Sequence, residues 1–298
     1  MKRWIFYIYG VACHLLFFAN FAYLLGFVGN VLVPKSIDSS PSGSVAKPVA
    51  IDLLLIAAFA LQHSIMARPA FKWVWNRIIP QPIERSTYVL ASCIVTVVLM
   101  WGWQAVDVVI WDVRHPVARP LLWGLFATGW LLVPAVSLMI DHFDLFGTRQ
   151  VSLFLRGREY THLPFRTPLL YNRIRHPLYL GWATAFWATP TMTLGHLLFA
   201  AALTAYMALA VRFEERDLVN YFGRRYEDYR RRVPMFVPRL SRSTSAADEL
   251  PRLAFPIGSR KRQAFSSPEH VGYQRALGPE LVAVSDHGPA PRRWPGGE

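Results

Sequence analysis

The sequence predicts an all-α integral membrane protein of about five or six transmembrane helices, including a C-terminal helical hairpin, followed by a cytoplasmic helix and a disordered tail. Of its 298 residues, 53% are hydrophobic and only 17% are charged, and the mean hydropathy is +0.24. A soluble domain usually has about a quarter of its residues charged. The apolar residues also gather into long runs, as membrane-spanning helices require.

These runs give the order of the helices. The first, 4–33, is too long for a signal peptide and lacks a small-residue cleavage site. The runs 49–67, 86–103 and 120–140 are each close to the roughly 20 residues that cross the hydrocarbon core. We therefore expect each of the four runs to form one transmembrane helix.

The last apolar region, 178–211, is interrupted by Thr-Pro-Thr at 189–191. Proline removes a backbone hydrogen bond and kinks or ends a helix, which leaves a first limb too short to cross comfortably. We expect a helical hairpin, or a bent pair, that returns to the side it entered from. The charged segment that follows should be helical until Pro234 stops it.

Basic residues predict the orientation. Lys2 and Arg3 precede the first run, and further basic residues fill the stretches 68–85, 149–175 and 212–242, whereas the alternate connections are poorer in them. By the positive-inside rule, both termini and these stretches should be cytoplasmic. The same pattern explains the net charge of +13 without nucleic acid, so we expect membrane lipid and no nucleic acid as a partner.

Residues 1–240 should form one transmembrane domain, while 241–298, rich in Pro, Arg and Ser, is typical of a disordered tail. Cys13 and Cys93 both lie in apolar runs and form no CxxC pair. They indicate neither a disulfide framework nor a zinc site, and we expect no bound metal.

A buried carboxylate is predicted near the C-terminal end of the domain. The apolar residues of 211–229 repeat at helical spacing on one face, and Glu215 falls on that stripe, one turn before Leu218. An isolated charge on a buried face is very unfavourable, so Glu215 needs a partner. Two explanations stay open: a structural salt bridge to a nearby arginine, or contact with a ligand.

The stretch RIRHPLYLGW, residues 173–182, concentrates hydrogen-bond donors where the hairpin begins. Pro177 suits the first turn of a helix, whose free N–H groups point outward. Arg173 and Arg175 carry guanidinium groups whose geometry fits a carboxylate. Arginine at a cytoplasmic helix end is also common for reasons of membrane topology alone. With His176, Tyr179, Glu214 and Glu215, the set suits a ligand with a carboxylate, hydroxyls, a flat ring and a positive centre.

S-adenosylmethionine has all four features, since aromatic faces also attract its sulfonium. The glycine-rich turn of soluble methyltransferases, G-x-G-x-x-G, does not occur in the chain. NADPH would compete for the same residues, and its phosphates would want additional basic groups. Composition alone leaves both cofactors open.

Two kinds of motif carry a resemblance to a known family. RHPLYLG followed by EERDLVNYFGRRYEDYRRRVPMFVP resembles the C-terminal signature of the isoprenylcysteine carboxyl methyltransferase superfamily, which is similar in fold to the membrane sterol reductases. The stretches GFVGNVLVPKSID, LQHSIMARPAFK, ERSTYVL, SLMIDHFDLFGTRQV and FWATPTMTLGHLLFA narrow it to the bacterial membrane methanethiol S-methyltransferases. The match covers roughly residues 1–240.

The resemblance implies an S-adenosylmethionine-dependent enzyme of a bacterial inner membrane that methylates a small thiol, methanethiol, to dimethyl sulfide at the cytoplasmic side. Its cofactor part should be about 141–238. The cofactor contacts it implies are Arg175, His176, Pro177, Tyr179, Gly181, Glu214 and Glu215. Arg175 is the weaker member, and Gly181 has a second explanation in close helix packing.

Methyl transfer to sulfur needs a thiolate, and a thiol with a pKa near 8.5 or higher must first lose its proton. The candidates for this step lie at the exit of the fourth run: His142 as a base, Asp144 as its orienting carboxylate, and Arg149 as a group favouring the thiolate. Helix capping is the competing explanation. His63 and His196 are weaker candidates, and a satisfied core histidine is the simpler role for His63.

Three other functions remain open at this point. One is methylation of a prenylated cysteine carboxylate, and another is a membrane reductase that uses NADPH. The third is a non-enzymatic scaffold or transporter, which predicts no saturable S-adenosylmethionine binding. Intramembrane charges paired across several spans would favour a transporter, and the sequence offers few.

Overall fold

The computed structural model describes residues 1–39, 43–161 and 163–238, so the predicted tail, 241–298, lies outside the described residues. In chain order its helices and strands are α1 (Lys2–Gly29), α2 (Ala46–Ala67), α3 (Pro69–Trp75), α4 (Gln81–Gly102), β1 (Val109–Asp112), α5 (Ala118–Ile140), α6 (His142–Leu145), α7 (Thr148–Leu155), a 3-10 turn (Leu169–Asn172), α8 (Pro177–Trp187), β2 (Thr191–Thr193), α9 (Leu194–Phe222) and α10 (Arg224–Arg232).

The predicted all-α membrane architecture is confirmed. Five helices, namely α1, α2, α4, α5 and α9, are long and apolar enough to cross a membrane. Their outward faces carry large apolar side chains such as Leu54, Trp101 and Leu131, which would contact lipid. Their inward faces form an aromatic core in which Trp103, Trp130 and Phe199 are almost fully buried.

The hairpin is formed by α8 and α9. Helix α8 has 11 residues, roughly 16 Å at the helical rise, so it is too short to cross the hydrocarbon core. The chain turns at 188–193, where β2 pairs antiparallel with β1. This two-stranded sheet was not predicted, because strands of four and three residues carry no readable periodicity.

Helix α9 continues beyond the predicted end of the apolar region at residue 211. It runs for 29 residues, and Glu214 and Glu215 therefore lie on the spanning helix itself. Gly223 has a φ of 55° and interrupts the helix between α9 and α10. A positive φ of this kind favours glycine. The predicted stop before Pro234 holds, since α10 ends at Arg232.

The two ends of the bundle differ in chemistry. At one end, which we call the charged face, Arg68 after α2 lies 3.3 Å from Asp217 of α9, and Phe6 of α1 stacks on Phe154 of α7. At the opposite face, the Asp52 side chain accepts from the Gln104 backbone N–H at 2.8 Å, close to where α4 ends. The start of α1 and the end of α9 thus share the charged face.

Helices α5 and α8 pack closely through glycine. A Cβ atom built on Gly129 would lie 2.5 Å from the backbone nitrogen of Ala185, and one on Gly181 would lie 3.2 Å from Val133. Both are tighter than ordinary packing permits. Gly181, predicted as a cofactor contact, therefore lies against α5, as its second explanation requires.

Candidate functional site

The N-terminal end of α8 is held by the chain that follows α10. Pro177 occupies the first turn of α8 and His176 precedes it. The backbone N–H groups of Arg175 and His176 donate to the carbonyls of Pro234 (2.9 Å) and Met235 (3.2 Å). These bonds bring the start of α8, the end of α9 and α10 together at the charged face.

Five of the predicted residues converge here, and we call them the acid–histidine cluster: Arg175, His176, Tyr179, Glu214 and Glu215. Glu215 Oε1 lies 2.7 Å from Arg175 Nε and 3.1 Å from His176 Nε2. Glu214 Oε2 accepts from the Tyr179 hydroxyl at 2.9 Å and lies 3.9 Å from His176 Nδ1. The His176 ring is thus placed between two carboxylates, and it is only 4% exposed.

Arg175 faces into the protein. Besides its bond to Glu215, one of its terminal nitrogens donates to the carbonyls of Arg230 (2.8 Å) and Val233 (2.6 Å). Hydrogen bonds to a charged group are stronger than neutral ones. Arg175 therefore ties α8, α9 and the end of α10 together, and it gives Glu215 the salt-bridge partner that its buried position required.

A small cleft of about 60 Å³ borders the cluster at the charged face. Burial raises the pKa of both Tyr226 and Tyr229, so both phenols remain neutral. Arg166 also lines the cleft; it is exposed and forms no ion pair with a carboxylate in the described part of the chain. The aromatic side chains of the lining are Phe165, Tyr171, Phe222, Tyr226 and Tyr229.

A larger cavity of about 340 Å³ lies among the spanning helices. Most of its wall is apolar and aromatic, while Arg68, Glu214 and Asp217 place charge at its end nearest the charged face. Glu214 lines this cavity and the small cleft, so one carboxylate borders both spaces. A group bound in the cleft and a group bound in the cavity could both reach it.

His142 lines the large cavity and forms a buried pair with His14, which lies behind it. Its Nε2 lies 2.8 Å from Nε2 of His14, and its Nδ1 lies 2.8 Å from the Ser137 hydroxyl. That hydroxyl also bonds the Pro134 carbonyl at 2.9 Å, so its oxygen accepts from Nδ1–H and the lone pair of His142 is on Nε2. Burial lowers the pKa of His142, partly opposed by Asp141, and keeps the ring neutral.

Asp144 and Arg149 form a separate ion pair. Arg149 donates to Asp144 Oδ1 at 2.8 Å and to the Thr161 carbonyl at 2.8 Å, and Tyr160 donates to Asp144 Oδ2 at 3.2 Å. Burial raises the pKa of Asp144, and Arg149 opposes the rise. The partners of His142 are Ser137 and His14, so the structure does not show Asp144 orienting it.

His63 and His196 both lie within the bundle, and in the part of the chain that the structure describes Nδ1 of His196 is buried without a hydrogen-bond partner. His63 accepts from or donates to the Tyr88 hydroxyl at 3.0 Å and the Ser92 hydroxyl at 3.3 Å, and all three residues line the large cavity. His196 Nε2 donates to the Phe186 carbonyl at 2.9 Å. Within the described ranges, no group of three or more His, Cys, Asp or Glu side chains is placed to hold a metal ion.

Sequence reasoning missed two residues of interest. His14 lies in the first apolar run, where an ionisable residue is itself a sign of function, but its partner is 128 positions away. Arg166 was counted only among the arginines that set topology. The signal at His14 was therefore its ionisable side chain within an apolar run, whereas Arg166 carries no local pattern that separates it from the other arginines around it.

Several curated proteins are similar to this chain. A methanethiol S-methyltransferase of Mycobacterium tuberculosis is 49% identical over 244 residues, covering 82% of this chain and 100% of the relative. Methanethiol S-methyltransferase 2 of Bradyrhizobium diazoefficiens is 51% identical over 233 residues, covering 78% and 90%. Nurim of Rattus norvegicus is 32% identical over 184 residues, covering 59% and 70%. No family model and no solved structure matches.

Proposed function

Because this chain belongs to the methanethiol S-methyltransferase family, we propose that it transfers a methyl group from S-adenosylmethionine to a small thiol, converting methanethiol to dimethyl sulfide. The observation that supports this most directly is Glu214, which borders both the polar cleft and the apolar cavity. A charged donor and a small apolar acceptor need two such spaces in contact. We assign the activity to residues 1–240, with the cofactor part at about 141–238.

The residues of the cleft fit the cofactor in chemical type. Glu214 offers a half-buried carboxylate to a ribose or an ammonium group, aromatic side chains such as Tyr226 and Phe222 offer flat faces, and Arg166 offers a guanidinium to a carboxylate. When bound, S-adenosylmethionine supplies an electrophilic methyl carbon. A cleft of about 60 Å³ is smaller than a nucleoside, so we expect the segment 163–172 to shift outward on binding.

The other cluster members act through position. His176 and Arg175 hold Glu215, and Tyr179 holds Glu214 on the side of the large cavity. Pro177 fixes the first turn of α8 so that these side chains face α9. Gly181 contributes by letting α8 approach α5. Only Glu214, with Tyr179 beside it, borders the cavity where an acceptor would lie.

Proton removal from the thiol is assigned to His142. Its ring lines the large cavity, and burial keeps it neutral, so it is able to accept a proton at neutral pH. The lone pair on Nε2 of His142 accepts from His14 in this structure, so His14 would move away from that nitrogen before His142 takes the thiol proton. The Asp144–Arg149 ion pair lies in the same segment and would hold α6 and α7 in place beneath the pair.

The test is product formation by the full chain in membranes or detergent. Given S-adenosylmethionine and methanethiol, it should release dimethyl sulfide, which gas chromatography measures. Glu214→Gln should weaken S-adenosylmethionine binding in calorimetry by roughly tenfold to a hundredfold, because a charged hydrogen-bonding group is lost. NADPH should give no saturable heat, in contrast to a reductase.

Glu227→Gln is the matched control. Glu227 lies on α10 near the same face, but its ion pair is a 3.9 Å contact with Arg231 at the surface. We expect this variant to bind the cofactor and form product like the parent. Folded protein that binds S-adenosylmethionine but leaves methanethiol unmethylated would refute the proposed acceptor, and absence of binding would refute the proposed donor.

The orientation is also proposed. Basic residues are concentrated at the charged face, on the connections 68–85 and 149–175 and on α10. By the positive-inside rule this face would be cytoplasmic, in the inner membrane of a bacterium. Both the cofactor cleft and the two ends of the domain would then open to the compartment where S-adenosylmethionine is made.

A further inference from the structure

The large cavity has far more space than methanethiol requires. Methanethiol has two heavy atoms, roughly 60 Å³ if each takes the liquid volume of one water molecule. The cavity holds about 340 Å³, which lies within the range of pockets that bind drug-sized ligands. A one-carbon thiol therefore fills only about a fifth of the cavity.

The cavity is also elongated along the bundle. Its lining on α9 runs from Phe199 to Asp217, roughly 27 Å at about 1.5 Å per residue. Glu214 and Asp217 lie at one end, near the charged face, and Leu99, Phe199 and Leu203 form the other end. A molecule with a polar sulfhydryl and an apolar body would fit with the sulfur toward Glu214 and the body toward Phe199.

We infer that the cavity binds thiols with an alkyl or aryl body of at least seven heavy atoms in total, which need about 210 Å³ at roughly 30 Å³ for each atom, and that the enzyme methylates them in addition to methanethiol. Hexane-1-thiol and benzenethiol are the probes of this class. The inference rests on the proposed thiol methyl transfer. The thiol proton goes to Nε2 of His142 after His14 moves away from it, and the thiol sulfur forms a bond to the methyl carbon. The bond from that carbon to the sulfonium breaks, so the donor sulfur becomes a neutral thioether and the acceptor leaves as a methyl thioether.

The first experiment compares thiols of increasing length with the full chain in detergent. Each added methylene that is buried should raise kcat/KM by about fourfold until the cavity is full. We therefore expect kcat/KM to rise from methanethiol to hexane-1-thiol, with methyl thioethers as the products in gas chromatography. Methylation of methanethiol with less than one hundredth of that kcat/KM for both larger probes would overturn the inference and leave the proposed function intact.

A pair of variants on α9 distinguishes an effect of the cavity on substrate preference from an effect of the detergent. Leu203 lines the cavity and is 7% exposed, whereas Leu209 is 51% exposed on the outer surface of the same helix. Leu203→Phe should lower the ratio of kcat/KM for hexane-1-thiol to that for methanethiol at least tenfold, and Leu209→Phe should leave the ratio unchanged. Partition of the longer thiol into detergent affects both variants equally.

A second substitution at Leu203 controls for misfolding of the protein caused by the larger phenylalanine side chain. Leu203→Ala enlarges the same end of the cavity and should move the best substrate toward octane-1-thiol. An unchanged order of substrates in both Leu203 variants would overturn the inference. Failure of every thiol, methanethiol included, would refute the proposed function together with it, whereas turnover of the larger thiols alone would support the inference and refute methanethiol as the acceptor.

Discussion

Glu214 and Glu215 are adjacent in the chain but lie in different surroundings. Consecutive side chains of a helix point about 100° apart, so the two carboxylates face different neighbours. Glu215 is held by Arg175 and His176, whereas Glu214 meets Tyr179 and borders both cavities. The first is mainly a tie between helices and the second is the proposed ligand contact, a division that the pair EE in the sequence does not reveal.

His142 gives a prediction for the dependence of activity on pH. A base must be neutral to accept the thiol proton, and burial lowers the pKa of His142 from its ordinary value of 6.5. The acid limb of kcat/KM should therefore lie below pH 6.5, and activity should persist at pH 6.5 itself. His14, 2.8 Å away, is the ionisable group in direct contact with it, and Asp141 opposes the shift.

Substitution of the same residue tests its role. His142→Gln should lower kcat by about a hundredfold or more, the usual contribution of a general base. His115→Gln is the control, because that histidine is exposed between β1 and α5, at the opposite face. A pH profile with its acid limb at or above pH 6.5, or a His142→Gln enzyme with the parent kcat, would exclude His142 as the proton acceptor.

At the scale of elements, the position of the site depends on the close packing of α5 against α8. Gly129 leaves room for the backbone of Ala185, and this contact fixes the position of α8 along the bundle. The start of α8 therefore lies beside α9. Close backbone approach through small residues is the usual basis of helix association in membranes. The position of Tyr179 and His176 thus follows from a contact on the other side of their helix.

Two glycines of α5 provide a matched pair for this contact. Gly129→Ala would put a Cβ atom 2.5 Å from the Ala185 nitrogen, whereas one at Gly124 would meet nothing within 4 Å. Overpacking of this kind destabilises by about 1–3 kcal/mol, while alanine in an open helix position is neutral or stabilising by up to about 1 kcal/mol. Thermal unfolding in detergent should show a lower Tm for Gly129→Ala alone, and equal values for both variants would contradict the packing argument.

The spans were predictable from the sequence because each is a long apolar run, and the hairpin was predictable because Pro190 interrupts the last one. The continuity of α9 was not, since the arginines and glutamates after Val211 suggested a separate helix. Yet no glycine or proline lies between His196 and Phe222 to end it. The pairing of His14 with His142 depends on two helices meeting in the folded bundle, and no local pattern encodes it.

For the whole molecule, the arrangement separates a small polar cleft from a larger apolar cavity. The cleft opens at the charged face among α8, α9 and α10, and the cavity lies among the spanning helices. Small thiols partition readily into apolar surroundings, so they would approach through the bilayer side, while a charged nucleoside would approach from water. Methyl transfer would then occur where both spaces meet, at Glu214.

The proposed orientation can be tested by labelling single cysteines, because the two natural ones, Cys13 and Cys93, are buried. Val117→Cys would place an exposed thiol between β1 and α5 at the opposite face, and Arg224→Cys would place one at the start of α10 at the charged face. If the charged face is cytoplasmic, a membrane-impermeant maleimide should label Val117→Cys in intact cells and Arg224→Cys only after the membrane is opened. The reverse pattern would put the cofactor cleft on the wrong side of the membrane for a cytoplasmic methyl donor. The parent protein is the control, and its labelling would show that the buried cysteines are accessible.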